Sequence, residues 1–218
     1  MQRENLNLRI RISAMSALII SFCVLTMLAL NESITVFENG VYTLLAGYIN
    51  PTLTSVTIAV TNMGSFLVVA AIVAALLALP FTRISFGIPV AAGAGIAAGL
   101  NIVLKTVISR DRPDILRLVT ETGYGFPSGH AMNNAALYTM IILIVFRLTK
   151  SNKIRIPVLI GGIAITFLIG VSRIYLGVHH TGDVLAGWIM GITIALFTDT
   201  VWRLIQSRGL KIGMNKRK

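Results

Sequence analysis

Apolar residues along this chain run in long blocks rather than in alternation. Residues 12–30, 56–79, 85–107, 131–146, 156–171 and 184–202 each carry at most one charged side chain. A helix rises ~1.5 Å per residue, so roughly 20 apolar residues cross about 30 Å of hydrocarbon. Four blocks come close to or exceed that length. The fourth and fifth hold 16 residues each and need tilt, bilayer thinning or polar end residues to complete a crossing. Only helices and closed barrels satisfy their backbone in lipid, and runs this long without period-two alternation exclude a barrel. The pattern predicts an all-α fold, a polytopic membrane bundle of six transmembrane helices, as one domain over residues 1–218.

Polar positions between and within the blocks refine this picture. Residues 31–55 contain no Lys or Arg, and Ile34, Phe37, Val41, Leu44, Leu45 and Tyr48 recur at helical spacing with Glu38, Asn39 and Thr43 between them. This predicts an amphipathic helix lying in the interface and ending near Asn50-Pro51. The start of the second block is polar for a membrane helix (Thr54, Ser55, Thr57, Thr61, Asn62, Ser65), so these groups are expected to face other helices or a wet cavity. The third block holds Gly95-x3-Gly99 among many alanines, and small residues let helix backbones approach; packing within the monomer is expected, rather than dimerisation. Residues 108–127 form a long connection crowded with Arg, Asp, Gly and Pro, which favours a functional segment over a spacer.

A net charge of +11 would suggest nucleic acid in a soluble protein. Its distribution argues otherwise. With six crossings both termini share a side, and that side holds Arg3, Arg9, Arg11, Arg83, Arg147, Lys150, Lys153, Arg155, Arg203, Arg208, Lys211, Lys216, Arg217 and Lys218, 14 of the 19 cations. The other side holds Lys105, Arg110, Arg112, Arg117 and Arg173. This bias predicts a multi-pass cell-membrane protein with both termini cytoplasmic. The expected partner is the lipid bilayer, with no nucleic acid. The single cysteine, Cys23, excludes an intramolecular disulfide. The first block is long and lacks a small-x-small cleavage site, which predicts an uncleaved span.

Three short patterns fall on the cation-poor side: Lys105-x6-Arg112-Pro113, Pro127-Ser128-Gly129-His130, and Ser172-Arg173-x5-His179-x3-Asp183. A carboxylate that accepts a hydrogen bond from one ring nitrogen fixes the tautomer and leaves the other nitrogen free to attack, which is what a His179–Asp183 pair offers. Pro127 halts the preceding loop, Ser128 suits a helix cap, and Gly129 allows close backbone approach, so the helix start before His130 presents N–H groups to an anion. Lys105, Arg112 and Arg173 add three cations from three segments. Arg110 and Arg117 read as surface or lid charges. The equipment fits binding a phosphate and displacing it by nucleophilic attack, on the extracytoplasmic side. With three histidines and neither a Cys/His cluster nor an acid-rich ligand set, no metal and no cofactor are expected.

These motifs resemble the signature of the type 2 phosphatidic acid phosphatase family, shared by membrane lipid phosphatases and the vanadium haloperoxidases. The match covers residues 105–183, and the six-span layout resembles the membrane branch. The resemblance implies metal-independent hydrolysis through a phosphohistidine intermediate. By motif position His179 resembles the nucleophile and Asp183 its orienting partner. His130 resembles the group that protonates the leaving alkoxide and then activates water. Lys105, Arg112, Ser128, Gly129 and Arg173 resemble the phosphate-binding cradle, while His180 lies outside the motif. The implied substrate is a lipid phosphate monoester or diphosphate, such as phosphatidic acid, phosphatidylglycerophosphate or undecaprenyl diphosphate. A non-catalytic lipid-phosphate transporter or scramblase is the alternative, although binding alone does not require a His–Asp pair plus a second His.

Overall fold

The computed structural model describes residues 2–207; the basic stretch 208–218 in the charge count lies outside the described residues. Among the described residues the chain is helical, with no strand. The order is α1 (Gln2–Leu30), α2 (Thr35–Ala46), α3 (Pro51–Met63), α4 (Phe66–Ala78), a single turn α5 (Pro80–Thr82), a π-helical turn (Arg83–Gly87), α6 (Ile88–Ile108), α7 (Gly129–Leu148), α8 (Asn152–Tyr175) and α9 (Thr181–Ser207). Five spans are long and apolar enough to cross a bilayer: Leu6–Leu30, Pro80–Ile108, Gly129–Leu148, Asn152–Tyr175 and Thr181–Gln206. The two blocks that looked short become helices of 20 and 24 residues, because polar end residues such as His130, Asn152 and Arg173 extend them.

One of the six predicted crossings is not a straight helix. The second apolar block breaks at Gly64-Ser65 into α3 and α4, of 13 residues each. Alone, 13 residues span only about 20 Å. A Cβ on Gly64 would lie 2.6 Å from Ile169 and 2.8 Å from Asn134, and the Gly64 carbonyl accepts a hydrogen bond from Asn134 Nδ2 at 2.9 Å. Ser65 then caps α4, and Gly/Ser pairs are common sites of sharp kinks. At its start, α3 meets the end of α8 through Thr54 Oγ1 and Tyr175 Oη, 3.0 Å apart. Near the far end of α4, the Leu76 carbonyl lies against Gly87 in the π-turn. The chain therefore still travels from one end of the bundle to the other, in two pieces. The predicted interface helix is α2, which meets α3 at 120°.

α7 is the centre of the bundle, flanked by α6, α8 and α9, with α1 laid along α9. Its buried residues include Met132, Ala135, Ala136, Leu137, Met140 and Ile144. Close α7–α9 packing depends on Gly187 and Gly191, where a Cβ would come within 2.8 Å of Ser128 O and 2.4 Å of Met132 O. Gly95 and Gly99, the pair singled out from sequence for packing within the monomer, have no non-neighbouring atom within 4 Å of the Cβ position and face outward. The neighbouring Gly93 and Ala97 are the buried members of that helix.

Candidate active site

All three motifs meet at one end of the bundle. Lys105 is on the last turn of α6, His130 on the first turn of α7, Arg173 near the end of α8, and Asp183 on the first turn of α9. Arg112 comes from the α6–α7 loop, which is anchored where buried Phe126 packs on Phe22 and where Leu118 N–H donates to Leu176 O at 3.0 Å. A cleft of about 270 Å³ is lined by Gly64, Phe66, Lys105, Arg112, Glu121, Thr122, Gly129, His130, Asn133, Arg173 and His179.

His179 lies just before α9, two residues ahead of its first residue Thr181. Its Nδ1 is 3.3 Å from Asp183 Oδ2, and its Nε2 is 3.4 Å from Arg112 Nη1. With Nδ1–H donating to the carboxylate, Nε2 keeps its lone pair and faces a cation of the cleft. Burial lowers the His179 pKa to about 4 although Asp183 opposes the shift, so the ring is neutral near pH 7. The same Asp183 oxygen also accepts the His180 backbone N–H at 3.0 Å. This is the reach-back half of a capping box, an acid three residues into a helix satisfying the cap residue. The Asp183 carbonyl takes Ser128 N–H at 2.9 Å and so ties the starts of α7 and α9 together.

Asp183 is held from behind by two residues the sequence reading assigned elsewhere. Arg110 Nη1 donates to Asp183 Oδ1 at 2.7 Å, and the same guanidinium forks onto Glu38, with Nη1–Oε1 at 3.1 Å and Nη2–Oε2 at 2.7 Å. Glu38 also accepts the Gly182 N–H at 3.0 Å. Arg110 is therefore not a surface or lid charge: its side chain is 10% exposed because two carboxylates enclose it. Glu38 does not face water from an interfacial helix. α2 turns Val36, Phe37 and Leu44 outward and buries Glu38 instead.

The cradle cations are also held by the protein. Arg112 donates to the carbonyls of Val178, Gly123 and Thr122 at 2.9, 2.9 and 3.0 Å, and Lys105 Nζ donates to those of Tyr124 and Gly125. Buried Arg173 donates to Thr61 Oγ1 at 2.9 Å, which accounts for one of the polar positions on α3. Glu121 enters the cleft, ion-paired to Arg173 Nη2 and with Oε2 3.7 Å from Arg112 Nη2. Burial alone would raise its pKa, but Arg173 and then Arg112 outweigh that and hold it below the usual value. A carboxylate thus sits where both cradle arginines can bind an anion. Ser128 occupies the cap position of α7, yet its Oγ makes no cap bond and is buried without a partner. Gly129 faces Asn101, whose Oδ1 would lie 3.0 Å from a Cβ there. Among the described residues no group of three or more His, Cys, Asp or Glu side chains forms a metal site.

Known proteins are similar to this chain in fold and sequence. The crystal structure of a transmembrane PAP2-type phosphatidylglycerolphosphate phosphatase from Bacillus subtilis superposes with a TM-score of 0.75 at 27% identity, covering 94% of this chain and 98% of that one. Aquifex aeolicus LpxE shares the fold at a TM-score of 0.57 and 24% identity, over 73% of this chain and 92% of that one. In sequence, phosphatidylglycerophosphatase B of Bacillus subtilis is 43% identical over 99 residues, 44% of this chain and 47% of that protein. Decaprenylphosphoryl-5-phosphoribose phosphatase of Mycobacterium tuberculosis is 28% identical over 114 residues, 50% of this chain and 58% of that protein. The chain thus spans about half the length of these curated relatives. The family model of the PAP2 superfamily matches residues 86–207, more than half of the chain and all three motifs, and the chain belongs to that superfamily.

Proposed function

We propose that this chain is an integral-membrane lipid phosphatase that hydrolyses a terminal phosphate through a phosphohistidine. The observation that carries the reading is the His179–Asp183 pair, which presents a neutral ring to a cleft lined by Lys105, Arg112 and Arg173. The substrate phosphate displaces the Glu121 carboxylate from the arginines and takes its place among the cations. His179 Nε2 attacks phosphorus, the P–O bond to the lipid breaks, and His130, which takes up a proton as the negatively charged phosphate enters the cleft, gives that proton to the departing alkoxide. Water then loses a proton to His130 and attacks phosphorus; the N–P bond breaks with its electron pair returning to Nε2, releasing inorganic phosphate and neutral His179. Asp183 stabilises the ring as it gains charge, and the cations carry the charge of the transferring group, the main demand of this chemistry. On this reading no metal takes part, because fixed cations fill that role.

The 43% identity to a phosphatidylglycerophosphatase favours a phosphoglycerolipid monophosphate, with prenyl phosphates and diphosphates as the neighbouring class. The cation bias supports an orientation with both termini in the cytoplasm and the cleft on the outer side. The test is rapid quenching of purified enzyme with radiolabelled phosphatidylglycerophosphate. An acid-labile, base-stable phosphoprotein is expected in wild type and none in His179→Ala. Equal labelling of both proteins would overturn the assignment. A substrate panel in excess EDTA then ranks phosphatidylglycerophosphate, phosphatidic acid and undecaprenyl diphosphate, and activity that needs added magnesium would contradict the cradle.

A further inference from the structure

At the end of the bundle opposite the cleft, Asp199 is fully buried and meets three arginines from three helices. Its Oδ1 accepts from Arg147 Nη1 of α7 at 3.1 Å, and its Oδ2 accepts from Arg203 Nε of α9 at 2.7 Å. Arg11 Nη1 of α1 lies 2.9 Å from Oδ2 and also donates to Thr200 Oγ1 at 3.1 Å. Among the described residues one carboxylate therefore faces three guanidiniums, and two positive charges are left over. Each guanidinium has five N–H donors in a planar fork, and the described residues engage one nitrogen of each. Arg11 and Arg147 are 19% exposed and Arg203 is 42% exposed, so the unused donors have an open side.

We propose that this cluster binds the phosphate of an anionic phospholipid between the ends of α1, α7 and α9. Like charges gathered at the edge of a low-dielectric slab repel unless an anion joins them. Guanidinium forks match phosphate oxygens, and anionic lipid is the abundant phosphate at a membrane surface. The neighbouring residues favour a phosphate that carries hydrocarbon. Ile10 and Ile12 flank Arg11, Phe146 and Leu148 flank Arg147, and Val201 and Leu204 lie beside Arg203 along α9, all of them exposed. Such side chains suit acyl chains and offer nothing to a soluble anion.

The test uses the purified full chain in uncharged detergent, with thermal unfolding followed during titration with phosphatidylglycerol, phosphatidylcholine or inorganic phosphate. Phosphatidylglycerol is a diester and offers the catalytic cleft no terminal phosphate. It is expected to raise Tm saturably, while the other two leave it unchanged. Arg203→Gln is expected to keep or raise Tm without lipid, because it relieves repulsion, and to raise the half-saturating phosphatidylglycerol concentration about tenfold. Arg203→Lys keeps the charge but loses the fork, and is expected to weaken lipid binding at unchanged lipid-free Tm. Lys105→Gln, in the cleft, is expected to leave the lipid response intact. Equal shifts with phosphatidylcholine, a phosphate response matching the lipid's, or loss of the response in Lys105→Gln would each overturn the site. So would an Arg203→Gln protein destabilised equally with and without lipid, since that is the behaviour of a structural staple.

Discussion

Helix α9 carries a fully buried aspartate near each end, and their surroundings differ in kind. Asp183 meets one arginine, one histidine and a backbone N–H, and the arginine is itself neutralised by Glu38. Asp199 meets arginines and nothing that can exchange a proton near neutral pH. Only the first adjoins the cleft. The difference shows that burial of a carboxylate among cations does not by itself mark catalysis. On the proposed reading, what marks it is a histidine in the set, His179, with its free nitrogen turned toward the cleft. The Asp199 end instead joins α1, α7 and α9, a task for which permanent charge suffices.

Substitutions that cross this comparison should separate turnover from stability. The largest effect is expected for His179→Ala, a loss of phosphate release of about 10⁴-fold or more with the fold kept, since a lost nucleophile is not replaced by its neighbours. Activity near the wild-type value would move the role to His180. The depressed His179 pKa also sets a sign. The folded ring stays neutral down to about pH 4, while the unfolded ring takes its proton near 6.5. Between those values the unfolded state binds more protons, so this residue's contribution to stability is full above about 6.5 and is lost as pH falls through about 4. Histidine-labelled NMR, with the resonance identified by its absence in His179→Ala, should show titration near 4. A midpoint near 6.5 would contradict the buried neutral ring.

Next in size is Glu38→Gln. Glu38 reaches the reaction only through Arg110 and Asp183, so it is a positioning residue. Partners one step behind a catalytic ligand commonly cost about 10- to 100-fold when removed. The expected result is a fall of that order in kcat with KM within about twofold, partly rescued in Glu38→Asp. A change in KM alone would place Glu38 at the substrate. Glu121→Gln should act in the opposite direction and more weakly. It frees Arg173 and Arg112 from an internal anion, so KM and the vanadate inhibition constant should each fall a few-fold. A rise in both would mean that Glu121 orients the arginines instead of occupying them.

The cleft end was legible in sequence where its residues stand next to helix ends at fixed spacing: Lys105, Arg112, His130, Arg173, His179 and Asp183 all converge. Its support was not. Glu38 contacts residues 72 and 144 positions away, and an interfacial helix by itself predicts its polar positions toward water. The apolar residues do face out, but Glu38 turns inward because Arg110 and the Gly182 N–H meet it there. Arg110 differs from its neighbour Arg112 only in what approaches it, and the chain order does not carry that. The same limit applies to the glycines. Gly95-x3-Gly99 and Gly187-x3-Gly191 have the same spacing, yet only the second pair lies against another helix. The Gly64-Ser65 break had a local signal, a Gly/Ser pair inside an apolar run, which span counting overrode.

Asp199→Asn should have the smallest effect on turnover, and it tests the comparison from the other side. An acid 16 residues beyond Asp183 lies roughly 24 Å along the helix, too far to touch the phosphate. The i,i+4 pairing with Arg203 was readable from sequence; Arg11 and Arg147 come from distant helices and were not. Asparagine keeps the shape but leaves three guanidiniums around a neutral amide. Removing the one anion that pairs buried cations costs roughly 3 kcal/mol, and the partial exposure of the arginines places this case toward the lower end. For a chain of this size the loss corresponds to a Tm lower by on the order of 5–10 °C. Turnover per folded molecule should stay within about twofold. Asp183→Asn should give the reverse pattern, with turnover down by orders of magnitude because the ring loses the partner that sets its tautomer. Equal loss of turnover in the two variants would mean that α9 transmits the state of one end to the other, and the division into a reacting end and an anchoring end would fail.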